Sequence, residues 1–144
     1  MSLVYLAMLT LLGGTLMLRR RIGTAMALLV VLAPFIFGLN FLFNGPGAAS
    51  GFGITPWPEG GAEGYFIVKG VRDLTVALTA LTLLLRGHRR TLGIAILIAT
   101  LMPLGDAYAV VTHGGTLVQA LTIHVSAAVV MLIGAVLLLT EKQP

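Results

Sequence analysis

Apolar residues run along this chain in long blocks, and most polar residues are confined to short clusters between them. Five blocks stand out: Leu3–Leu18, Ile22–Phe43, Tyr65–Leu85, Thr91–Thr112 and Thr116–Leu139. A helix needs about 20 residues to cross the hydrocarbon core of a bilayer, and the last four blocks meet that length. The first has 16 residues and contains Gly13-Gly14. It does not read as a cleavable signal peptide, because no basic residue precedes it and Arg19-Arg20-Arg21 follows it directly. The pattern predicts an all-α fold over 1–144: an integral-membrane bundle of five transmembrane helices, four forming the core and one N-terminal to it.

Composition strengthens that reading. The chain is 58% hydrophobic and only 10% charged, whereas a soluble domain carries roughly a quarter charged residues to face water. Its solvent is therefore lipid, and the bilayer is its first partner. The formal charge of +4 does not imply nucleic acid, which needs cations spread over a wet face. Here the cations form short clusters between apolar runs. There is no cysteine, which excludes disulfides and thiolate chemistry.

Those clusters give an orientation. Arg19, Arg20 and Arg21 follow the first block, Arg86, Arg89 and Arg90 the third, and Lys142 the fifth; 44–64 and 113–115 contain no Lys or Arg. Cytoplasmic loops hold the excess of Lys and Arg. In the plasma (inner) membrane, the N-terminus is then expected outside, the C-terminus in the cytoplasm and 44–64 outside. That outer loop, with seven Gly and three Pro, reads as a structureless connection, either a functional lid or a linker. Trp57 within it is expected at headgroup level.

Only Lys69 and Arg72 break the charge rule, and with Asp73 they sit inside the third block. Positions 69, 72, 73 and 76 share one helical face. Eleven Leu, Ile, Val and Phe residues in Tyr65–Leu85 contribute about −3 to −7 kcal/mol to insertion, while three centred charges would cost about +8 to +10 kcal/mol. Insertion therefore requires the charges to be off-centre, paired and turned inward. They lie about 6 to 12 Å below the outer end at 1.5 Å per residue, and Lys69–Asp73 is an i,i+4 pair of opposite sign.

Other blocks offer partners at that depth. Asp106 lies about 9 Å and His124 about 12 Å below the outer ends of their blocks, and Asn40 is three residues inside the end of the second. Pro103 is expected to bend the fourth helix nearby. One polar site in the outer half of the bundle accounts for Lys69, Arg72, Asp73, Asp106, His124 and Asn40 together. Tyr5 and Tyr108 add hydroxyls if their faces turn inward.

The chemistry of this set stays open. Lys69 and Arg72 either hold an acidic group or form a structural ion-pair network. Asp106 either neutralises Arg72 or acts as a general base, with Asp73 and His124 as further acid/base candidates. His124 suits acid/base work or metal binding, or a single interhelical hydrogen bond. No metal is expected. His113, His124, Asp106 and Asp73 lack a tight ligand spacing such as HExxH, and the neighbouring cations repel one. No cofactor is expected either, since neither a phosphate loop nor a GxSxG elbow is present.

At "GFGI", "VKGVRDL" and "PLGDA", followed by a histidine, the chain resembles a family of small bacterial and fungal integral-membrane proteins known as domain of unknown function 4267. The resemblance runs from about Gly38 to about Val130 and implies a four-helix membrane bundle over the second to fifth blocks. It also implies that Gly51, Gly53, Lys69, Arg72, Asp73, Gly105, Asp106 and His124 form one site. It transfers no activity.

Three functions fit. The first is an outward-facing site that binds a small amphipathic or anionic molecule and transforms it by acid/base chemistry, or only binds it. The second is a proton-coupled transporter or transporter subunit, for which a homo-oligomer would supply the missing second half. The third is a structural subunit or assembly factor whose buried ion pairs fix packing.

Overall fold

A computed structural model describes residues 3–141 apart from 55 and 58, with side chains described from residue 13 onward. Among these residues all regular structure is helical. The order is α1 (Leu3–Phe43), α2 (Gly45–Phe52), a 3₁₀ turn at Gly60–Glu63, α3 (Gly64–Leu85), α4 (Arg89–Ala99), α5 (Leu101–Thr112) and α6 (Leu117–Gln119). A π-helical turn at Ala120–Val125 then leads into α7 (Ser126–Leu139).

Three stretches are long and apolar enough to cross a membrane: Gly13–Phe43, Arg89–Thr112 and Leu117–Leu139. The outward faces of the bundle are rich in exposed large apolar side chains, such as Ile36, Phe37, Ile98 and Leu101. Such a surface is compatible with lipid rather than water. α3 has 22 residues, about 33 Å of helix, but it carries the three charges.

Two expectations are corrected. The arginines at 19–21 do not turn the chain, because α1 runs through them as one helix of 41 residues. Helix propensity explains this: arginine is a good helix former, and nothing in Leu18–Ile22 supplies a glycine or proline breaker. The expected break between the first two blocks is therefore absent, and with it the turn that placed the N-terminus outside. The 44–64 stretch is also not structureless. Pro46 near its start and Gly53 at its C-cap (φ 102°) bound α2, each suited to that position. Burial of Ala48, Ala49 and Phe52 against Phe41, Phe66 and Val110 holds the helix down.

Close contacts between backbones set the packing. α1 crosses α3 where Gly38 faces Gly70: a Cβ on either would come within 2.8 Å of the other's carbonyl oxygen. Small residues permit such crossings in lipid. α7 packs against both α4 and α1, around a buried apolar cluster that includes Ala27, Leu92, Ile96, Ala135 and Leu138.

The basic end is tied by side chains. Arg89 bonds Glu141, with NH2–Oε1 at 2.6 Å, and donates to Thr24 Oγ1 at 3.0 Å and the Arg20 carbonyl at 3.3 Å. Arg19 donates to Thr140. Arg19, Arg20, Arg89 and Glu141 thus gather at the end remote from α2. Lys142, also assigned to that end by the sequence, lies outside the described residues.

Candidate functional site

The charged face of α3 is its buried face. Phe66, Lys69, Gly70, Asp73, Ala77 and Ala80 are all buried, spaced as one side of a helix. Lys69 is 7% exposed and Asp73 4%, so each needs a partner of opposite sign. Lys69 Nζ donates to Asp73 Oδ2 at 2.6 Å, closing the expected i,i+4 pair. It also lies 3.5 Å from Asp106 Oδ2.

Arg72, one-third exposed, bridges the two carboxylates. Its Nε donates to Asp73 Oδ1 at 3.2 Å, and its NH1 and NH2 hold Asp106 at 3.0 to 3.2 Å. Two cations and two carboxylates thus form a closed ring with no net charge. Asp106 comes from α5, which follows α4 after a break at Thr100. Pro103 has no N–H for the carbonyl of Ala99. Around this break Thr100 N–H is shared between Ile96 and Leu97, and Leu104 N–H reaches Thr100 only at 3.4 Å.

Aromatic rings flank the ring of charges. Lys69 Nζ sits 5.2 Å from the Phe41 ring centre and 5.6 Å from that of Phe52, within cation–π range. His124 is buried, packs at a tilt against Phe52 with ring centres 4.7 Å apart, and places Nε2 2.8 Å from the Phe52 carbonyl. That nitrogen donates, since a carbonyl can only accept. The π-helical turn at Ala120–Val125 presents the histidine there. It starts just after a capping box in which Thr116 and Gln119 satisfy each other's backbone N–H. The bond pins the C-terminal end of α2 onto the bundle.

A cavity of about 480 Å³ opens beside this arrangement. Lys69, Arg72, Asp73, Asp106, His124 and Asn40 all line it, and so does Gly51. The rest of the wall is largely apolar, with Leu29, Ala33 and Phe37 of α1 facing Met102, Ala127 and Val130. Leu29, Phe37 and Ile123 line it while being at least 40% exposed. Its mouth therefore opens on the apolar flank of the bundle.

Not every expected residue belongs to the site. Gly53 does not line the cavity; its positive φ ends α2, and a Cβ there would lie 3.3 Å from Gln119 Cβ. Gly105, which the resemblance grouped with the site, faces open space. His113 ends α5 at an exposed position, bonded to Thr112 and to the Ala109 carbonyl. Tyr108 is 73% exposed and turns away, and the Tyr5 side chain lies outside the described residues. Trp57, expected at headgroup level, packs half-buried against the apolar cluster beneath 44–64.

The sequence reading missed Phe41, Phe52, the π turn and α2. For the two phenylalanines a signal existed: Phe41 follows Asn40, and Phe52 lies inside the "GFGI" motif.

The family described as a domain of unknown function (DUF4267) matches residues 31–138. No curated protein and no solved structure matches the chain. The match covers α1 from Val31 onward and nearly all of the helices that follow, including every charged residue of the ring. The chain belongs to this family.

Proposed function

We propose that this member of the DUF4267 family is a multi-pass membrane protein whose polar intramembrane site binds a small amphipathic molecule. One observation carries the reading: a single cavity of about 480 Å³ has a charged and hydrogen-bonding wall on one side and an aliphatic wall on the other. That volume is in the usual range of ligand pockets, roughly 300 to 1,000 Å³. The polar head would meet Arg72, Asp106 and Asn40, and the apolar body would lie along Leu29, Ala33 and Val130. Positive-inside logic puts the basic end in the cytoplasm and the site in the outer half of the membrane.

Binding has more support than catalysis. Asp73 and Asp106 each accept bonds from cations, so either would have to leave its partner before serving as a base. Transport has less support still. Between the site and the basic end lies the buried apolar cluster around Ala27, Leu92, Ile96 and Leu138, which would have to part.

The test is to purify the protein in nanodiscs and identify small amphiphiles that remain bound. Arg72→Gln and Asp106→Asn, each with helical content intact, should lose that species. Retention by both folded variants would overturn the reading. The closed ring also favours a second reading, in which the charges serve packing alone. Under it, Arg72→Asp combined with Asp106→Arg restores stability and cellular phenotype together.

A further inference from the structure

The electrostatics of the ring narrow the ligand class, taking the binding reading above as given. The geometry points to a long-chain amphiphile with an uncharged, hydroxyl-type head, entering sideways from the bilayer, rather than an anion held by Lys69 and Arg72.

Three observations carry this. First, both cations are already answered: Lys69 by Asp73 at 2.6 Å, Arg72 by Asp106 at 3.0 Å and by Asp73 at 3.2 Å. An anionic head that used the remaining N–H of Arg72 would lie against the Asp106 carboxylate with no net positive charge in the ring to offset the repulsion; the alternative is to displace Asp106, whose side chain is 14% exposed. That would leave a desolvated carboxylate with only Lys69 at 3.5 Å, the costly outcome of breaking a buried pair. A cationic head meets the mirror-image difficulty at Asp106. Second, the ring keeps spare hydrogen-bonding capacity of both kinds. A guanidinium has five N–H donors and a carboxylate about four lone-pair positions; Arg72 makes four hydrogen-bond contacts in the ring and Asp106 accepts three of them. A hydroxyl both donates and accepts, so it can bridge Arg72 and Asp106 without separating them. Third, the mouth is flanked by Leu29, Phe37 and Ile123, all exposed on the apolar flank. A ligand can therefore slide in from lipid with its chain first in contact with aliphatic side chains.

The experiment uses the full chain in nanodiscs of zwitterionic lipid. It is titrated to equal bilayer mole fraction with myristyl alcohol, myristate or myristyl ammonium, and thermal stability is read. Ala33→Phe, which fills the aliphatic half of the cavity, serves as the reference; its helical content and monodispersity are checked first. Should it not fold, Ala127→Leu replaces it. The alcohol should stabilise the wild type saturably and the filled variant much less. The two charged probes should bind roughly ten-fold more weakly or worse, since each 1.4 kcal/mol of lost pairing is a factor of ten. Myristate binding as tightly as the alcohol, with the same sensitivity to Ala33→Phe, would overturn the neutral-head inference and leave the binding site standing. If no probe distinguishes wild type from the filled variant, the binding reading itself falls.

Discussion

Replacing Asp73 by Asn should be among the most damaging single changes in the bundle. Asp73 is 4% exposed and accepts from Lys69 at 2.6 Å and Arg72 at 3.2 Å. Wild type balances two cations against two carboxylates; the variant leaves two cations against one. Arg72 keeps Asp106, but Lys69, 7% exposed, is left with Asp106 at 3.5 Å as its only carboxylate among the described residues. Removing one member of a buried pair costs about 3–5 kcal/mol, whereas replacing both members by apolar residues of similar volume is often neutral or better. Asp73→Asn should therefore cost about 3 kcal/mol or more. Lys69→Met with Asp73→Leu should recover most of that, because Arg72–Asp106 survives as a self-contained bidentate pair. Unfolding by SDS in mixed micelles, followed by far-UV circular dichroism, gives both values in one assay. A cost below about 1 kcal/mol for Asp73→Asn, the level of an exposed pair, would refute the buried-pair account of Lys69 and Asp73. A double variant less stable than the single one would refute it equally.

Two further outcomes follow from the geometry. His124→Ala leaves the buried Phe52 carbonyl without its donor, which should cost about 1–3 kcal/mol and raise amide exchange across Gly45–Phe52 while α3 and α7 stay protected; equal exchange in wild type and variant would remove the latch role given to His124. Because the chain has no cysteine, single-cysteine variants report sidedness cleanly. Gly61→Cys should react with a membrane-impermeant maleimide on intact cells and His88→Cys only after permeabilisation, and the reverse pattern would invert the proposed orientation.

The helical class and the charged ring were both legible in the sequence, for different reasons. Long apolar runs demand helix in lipid because every backbone polar group must be satisfied internally. The ring was legible because charges inside such a run have so few tolerable placements. Lys69, Arg72 and Asp73 had to face inward, and Asp106 was the acidic residue at matching depth. The break at Thr100 followed from the proline three residues on. What escaped was decided by tertiary contact rather than by local preference. Gly45–Phe52 has poor helix propensity, yet Gly45 fits against Phe66 where a larger residue could not, and Ala48, Ala49 and Phe52 are buried in the same apolar cluster. The π turn likewise has no sequence mark beyond His124, whose bond to Phe52 spans 72 residues of chain.

The length of α1 bears on how the site is framed. Its 41 residues make a rod of about 62 Å, roughly twice a hydrocarbon core of about 30 Å. The half after Gly23 packs on α3 and α7 and lines the cavity through Leu29, Ala33, Phe37 and Asn40. Arg19 and Arg20 mark the basic end of the bundle by their bonds to Thr140 and Arg89. Residues before them extend beyond that end, away from the ring of charges. The family match begins at residue 31, on the cavity side of the arginines. The ring on α3 and α5, Phe41 and Phe52 all fall within the matched residues, and of the α1 residues that line the cavity Leu29 and Val30 precede the match; within Leu3–Leu18 the described side chains, those from Gly13 on, do not line the cavity. Truncating that segment should accordingly change the site's ligand preference less than any single substitution in the ring.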